Sequence, residues 1–153
     1  MLTLDGHETH WLLSNERNRI AQRLADRHYS RKHPGSTTGF VGPGQKIVLL
    51  SDDGKALFVW VYAQPELRGD KIDGVYCSIF RNEGPVLSSI LILEAERFAR
   101  QRWPGKKLFT YVNKEKVKSK NPGWCFQKAG WQLTGVNKSG KLRIFEKTAE
   151  VEE

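Results

Sequence analysis

Along the chain the apolar positions switch between a two-residue and a helical period, and each switch marks an element. Residues 75–80 (VYCSIF) are a short β-rich run closed by the turn residues Asn82, Gly84 and Pro85. Beyond it Leu87, Ile90, Leu91, Ala95, Phe98 and Ala99 recur at helical spacing, with Glu94, Glu96, Arg97 and Arg100 between them. The pattern predicts a helix over residues 85–103. Pro85 suits its first position, where a missing N–H loses no intrahelical partner, and Trp103-Pro104-Gly105 ends it. Residues 108–112 read as the next strand. Upstream, residues 9–13 read as a strand and residues 16–27 (ERNRIAQRLADR) as a helix capped by Ser14 or Asn15. Residues 46–50 and 55–62 are strands joined by an Asp-Gly turn, and residues 64–74 are a polar loop. Downstream come a short helix at 124–129 and a hairpin of residues 131–136 and 141–146. The order β, α, three strands, α, β, short α, β, β predicts one mixed α/β domain over residues 1–147 with a long central helix, and an acidic, frayed tail at 148–153.

Composition narrows the class. The chain has 153 residues, 39% apolar and 27% charged, an ordinary balance for one domain with its own core. It shows no apolar run of membrane length and no signal-peptide pattern. Two cysteines are too few for a disulfide framework or a cysteine-based zinc site, so a reducing, intracellular setting is the default. The net charge of +8 favours polyanionic partners such as nucleic acid.

Candidate chemistry gathers at a few places. The start of the central helix offers free N–H groups at residues 86–89 and the positive end of a dipole, with Arg81, Ser88 and Ser89 beside it: a site for a phosphate or pyrophosphate. His28-Tyr29-Ser30 sits just past the first helix, where His28 is either a base or a C-cap complementing the dipole. Tyr111 lies toward the end of the strand next to the anion site and is either a site residue or core packing. His7 with His10, and His28 with His33, lack the spacing and carboxylate of a metal site. Cys125, near a helix start, has either a lowered pKa or a small buried role, and Cys77 reads as buried. Arg19, Arg23 and Arg27 recur four apart, and Lys114, Lys116, Lys118 and Lys120 lie close to Phe109, Tyr111 and Trp124. Both groups suit either phosphate contacts or a solvated surface.

Two motifs then resemble a known family. Arg81-x-x-Gly84-x-Val86 resembles the acyl-CoA pyrophosphate loop of the GNAT superfamily of N-acetyltransferases, Q/R-x-x-G-x-G/A. Cys125-Phe126-Gln127-Lys128-Ala129-Gly130-Trp131 is similar to its closing segment, and the order of elements agrees over nearly the whole chain. His28-Tyr29-Ser30-Arg31, Phe80-Arg81-Asn82-Glu83-Gly84, Thr110-Tyr111-Val112 and Asn121-Pro122-Gly123-Trp124-Cys125-Phe126 further resemble signatures of phage-encoded members. These include the Mom-like branch that modifies adenine in DNA and so blocks restriction.

The resemblance implies a GNAT-like, mostly antiparallel sheet flanked by helices, with a central strand–loop–helix cofactor motif. It implies a transferase using acetyl-CoA or another acyl-CoA to modify a DNA base, in the cytoplasm of a bacterial host. Arg81, Gly84, Ser88 and Ser89 would hold the cofactor, and His28, Tyr29 and Tyr111 would border the reacting amine. Arg19, Arg23, Arg31, Lys116, Lys118 and Lys120 would contact DNA; no metal ligands and no membrane are expected, and the oligomeric state is left open, a homodimer included. Two positions depart from the pattern. Val86 stands where the loop has Gly or Ala, and Phe126 where many acetyltransferases place a tyrosine that protonates the leaving thiolate. A conventional N-acetyltransferase acting on a protein or small amine, and a non-catalytic nucleic-acid-binding module, are the alternatives.

Overall fold

Residues 56–62 (ALFVWVY) are apolar without alternation because the strand they form is covered on both faces. The structure is a computed structural model describing residues 8–28, 31, 39–116 and 121–149. Its elements are β1 (Trp11–Ser14), α1 (Arg19–Asp26), β2 (Gln45–Ser51), β3 (Ala56–Tyr62), β4 (Gly74–Asn82), α2 (Ser88–Arg102), β5 (Lys107–Asn113), α3 (Trp124–Lys128), β6 (Gln132–Val136) and β7 (Leu142–Lys147), with a short 3-10 turn at Pro65–Leu67. The strands make one seven-stranded sheet in the order β1-β2-β3-β4-β5-β7-β6. All neighbours run antiparallel except β4 and β5. This is the single-domain, GNAT-like α/β arrangement, and no helix among the described residues is long and apolar enough to cross a membrane.

Two helix starts differ from the sequence reading. α1 begins at Arg19, and its cap is Asn18, whose Oδ1 accepts from Ala21 N at 3.0 Å; neither Ser14 nor Asn15 caps it. Glu16 lies outside the helix, where it accepts from Val41 N at 3.0 Å and pairs with Lys46. α2 begins at Ser88 rather than Pro85. Asn82 Nδ2 donates to Val86 O at 2.7 Å and Ser88 Oγ at 3.0 Å, which holds the residues between as a loop and delays the first helical turn.

One apolar cluster lies between the sheet and α2 with α3, around Phe58, Trp60, Leu91, Ile92, Phe126 and Phe145. A second, around Leu24, Leu57, Val59 and Ile79, lies under α1 on the other face. Trp11 and Trp60 pin α2 to the sheet: their indole N–H groups donate to Leu91 O and Ala95 O, both at 2.9 Å, one helical turn apart. Each carbonyl has a second lone pair free for this after its helical bond. Glu96 is buried, at 3% exposure, although it falls among the polar positions of the helical pattern. It accepts from Trp131 Nε1 at 3.1 Å and pairs with Lys147 at 2.8 Å and Arg100 at 3.4 Å, so α3's end and β7 close over that face of the helix.

Candidate functional site

The site begins with an irregularity in β4. Val59 pairs with Ile79 but Trp60 pairs with Cys77, so Ser78 is an extra residue on its strand. Such a bulge resets the alternation: Cys77 and Phe80, three residues apart, both belong to the cluster under α2. It also bends the strand. Pairing between β4 and β5 stops at Cys77 and Thr110, yet β4 runs on to Asn82 and β5 to Asn113. The two strands therefore part, and the gap is a cleft of about 160 Å³. Phe80, Val112, Cys125 and Phe126 wall it from the α2 face, and His28 and Tyr111 approach from the other.

His28 hangs over this gap because its backbone continues the last turn of α1, with His28 N donating to Ala25 O at 3.0 Å. The end of α1 is tied to the end of β4. Glu83 accepts from Arg27 Nε and Arg81 Nε, both at 2.7 Å to Oε2, and Arg81 also donates to Arg27 O at 2.9 Å. The two arginines, Arg27 first, hold the Glu83 carboxyl down to about 2. Burial, aided by the Arg81 charge, lowers His28 to about 4, so its imidazole is neutral at pH 7. Phe126 packs against Phe80 at 6.0 Å between ring centres, an apolar wall with no acid. Gly123, just before α3, is required: its φ is +87°, and a Cβ there would lie 2.3 Å from the Phe145 ring.

The start of α2 adjoins β4's end. Leu87 supplies no side-chain cap, so the first-turn N–H groups of Ser88 and Ser89 have no acceptor within the helix. Gly84 lies against the β2–β3 turn, where a Cβ would be 3.1 Å from Lys55 Cβ and 3.3 Å from Asp53 Oδ2. Arg81 is not part of this place. It is paired in register with Leu57, on the α1 face, and its guanidinium is engaged by Glu83 and Arg27. Val86 packs on the core cluster under α2.

Tyr111 contributes its ring to the cleft wall, but its hydroxyl donates to Asp70 Oδ2 at 2.7 Å. Asp70 is held by Arg68 through Nε at 2.7 Å and Nη2 at 2.5 Å, and the Arg68 guanidinium lies over Phe109 and Tyr76, 4.9 Å and 5.4 Å from their ring centres. Burial, then the Asp70 bond, pushes Tyr111 up to about 12. Its phenolic hydrogen is thus committed to Asp70 and away from the cleft's other groups. The cysteines are also unlike activated thiols, since burial raises both Cys77 and Cys125.

Of the proposed phosphate contacts, Arg19, Arg23 and Lys116 are exposed. Arg31 is instead paired with Asp26 at 2.9 Å, with its side chain largely covered. Tyr29, Lys118 and Lys120 lie outside the described residues, as do His7 and His33. His10 pairs with Glu94 at 2.8 Å, and no cluster able to hold a metal ion occurs among the described residues. Sequence reasoning does not single out Ser78, which lines the cleft, or Arg68 and Asp70, which hold the Tyr111 hydroxyl. The bulge has no local mark in VYCSIF, and the clamp on Tyr111 comes from a loop distant in sequence.

No protein-family model matches the chain, and no curated protein sequence is significantly similar to it. Its fold is similar to that in a crystal structure described as "a putative phosphinothricin N-acetyltransferase", with a TM-score of 0.58 at 18% identity over 92% of this chain and 98% of the other. At that identity the likeness establishes the fold.

Proposed function

We propose that this chain is an acyltransferase that moves an acyl group from acyl-CoA to an amine, and that the amine belongs to a base of DNA. The observation that carries the first half is the β4–β5 cleft, with a neutral imidazole at its edge and an uncapped helix start at the end of the same strand. The residues suit the cofactor: Ser88 and Ser89 would hold its pyrophosphate at the start of α2, and the apolar wall of Phe80, Val112 and Phe126 would receive its acyl end. When bound, acyl-CoA supplies an acyl group activated as a thioester. His28 takes the proton that the amine sheds as its nitrogen displaces the thiolate from the acyl carbon, and the apolar wall of Phe80, Val112 and Phe126 disfavours water at the acyl end. Arg81 supports this indirectly, by fixing the end of α1 and with it His28.

The DNA half rests on the net charge of +8, on exposed Arg19, Arg23 and Lys116, and on the motif resemblance at residues 28–31 and 121–126. Mass analysis of nucleosides from plasmid DNA in cells expressing the chain tests it, with CoA calorimetry alongside. A modified base that disappears in His28→Ala is expected. Affinity for DNA should fall steeply with salt, and less steeply in Arg19→Ala/Arg23→Ala/Lys116→Ala. One observation favours a second acceptor class. A cleft of about 160 Å³ is small beside ordinary ligand pockets, which suits a compact free amine. Unmodified DNA together with acylation of small amines by the purified chain decides for that reading.

A further inference from the structure

We propose that the Ser78 hydroxyl is the hydrogen-bond donor that holds the carbonyl oxygen of an acyl thioester in the β4–β5 cleft. This rests on the acyl-transfer reading above. Ser78 is the extra residue of the β4 bulge and part of the cleft wall. Its Oγ is buried and has no hydrogen-bond partner among the described residues. A hydroxyl left unpaired away from water destabilises a fold, and an alanine would fill nearly the same volume without that cost. Packing alone gives no reason for a serine here.

The other polar side chains of the wall are committed. Thr110 Oγ1 donates to Cys77 O at 2.9 Å, and Tyr111 donates to Asp70 at 2.7 Å. Cys77 Sγ faces Ile79 O at 3.6 Å, and thiols are weak donors in any case. His28, on the acyl-transfer reading, is the proton acceptor. Among the described hydroxyls of the wall, Ser78 Oγ is thus the uncommitted one, at the point where the strands part. Rotation about χ1 moves Oγ among three staggered positions, so it turns to an incoming group without backbone movement. A thioester carbonyl entering between Phe80, Val112 and Phe126 gives up its water and needs a donor. The free thiol of CoA makes no such demand, so Ser78 should distinguish acylated from free cofactor.

Calorimetry of the full chain with acetyl-CoA and with CoA tests this in wild type, Ser78→Ala and Ser78→Thr. Wild type should bind acetyl-CoA about tenfold more tightly than CoA, the difference one hydrogen bond supplies. Ser78→Ala should abolish that difference while CoA binding stays unchanged and the melting temperature holds or rises, and Ser78→Thr should keep part of it. A preference for acetyl-CoA that persists in Ser78→Ala, or an equal loss of both ligands, overturns the assignment while acyl-CoA binding itself stands. Failure of wild type to bind either ligand overturns the acyl-transfer reading and this proposal together.

Discussion

Tyr111 gives its phenolic hydrogen to Asp70 at 2.7 Å although its ring walls the cleft. The bond fastens the loop after β3 to β5, and Arg68 completes the clamp by pairing with Asp70 above the Tyr76 and Phe109 rings. Tyr111→Phe should therefore act mainly on stability. A loss of about 1–2 kcal/mol in urea unfolding is expected, because Asp70 loses one of its donors, with turnover within about threefold of wild type. Asp70→Asn should shift the unfolding midpoint in the same direction. A turnover loss above a hundredfold in Tyr111→Phe, with an unchanged midpoint, would return the phenol to the chemistry.

His28 makes a different forecast. Its folded pKa of about 4 lies below the ordinary 6.5, so the unfolded chain binds the extra proton between those values. Its contribution to stability therefore rises as pH climbs from about 4 to 6.5 and is level above. The wild-type minus His28→Asn difference in urea midpoint, followed from pH 4 to 8, reads this directly. In kinetics, the acid limb of kcat/KM due to His28 should fall near pH 4, with no inflection at 6.5. His28→Ala should lower turnover by roughly 10² to 10⁴, the usual range for a lost general base.

Removing Glu96 should be costly. Glu96→Ala leaves Trp131 Nε1, Lys147 and Arg100 around a vacated carboxylate site at the core edge, for a loss of about 3 kcal/mol. Glu96→Gln keeps an acceptor for the indole and should lose less. Equal midpoints for wild type and Glu96→Ala in urea would show the network to be dispensable.

Gly84→Val should separate binding from folding. The branched side chain meets Lys55 Cβ and Asp53 at the β2–β3 turn, pushing on the loop that precedes α2. CoA affinity is expected to drop at least tenfold while the melting temperature moves by only a few degrees. Intact CoA binding in a folded variant would show that the loop tolerates displacement.

Much of this architecture is written in periodicity. The continuous apolar runs of β2 and β3, the helical stripe of α2 and the turn residues between them mark the strands and helices in their order, though not their ends or the 3-10 turn at Pro65–Leu67. His28 and Tyr111, far apart in sequence, do meet at one cleft. What periodicity cannot carry is a parity change without a marker. Ser78 shifts the alternation of β4 with no glycine or proline to announce it. The motif puts Arg81 at the helix start, but in the sheet it pairs with Leu57 on the α1 face. Arg31 and Glu96 look like solvent-facing charges, yet Asp26 and the Trp131–Lys147–Arg100 group claim them through tertiary contacts. Both helices start downstream of where periodicity puts them for a local reason: Asn18 Oδ1 caps the first turn of α1, and Asn82 holds the loop before α2.

The parting of β4 from β5 gives the cleft walls from both faces of the sheet, Phe80, Val112 and Phe126 from the α2 side and His28 from the other. A donor lodged from the α2 side and an acceptor arriving past His28 need not exchange places. On the proposed function, both reactants occupy the protein together, and the acyl group passes between them without resting on a side chain. Double-reciprocal plots at varied acceptor concentration should then intersect, and mass spectrometry of the protein after acyl-CoA alone should find no acylated chain.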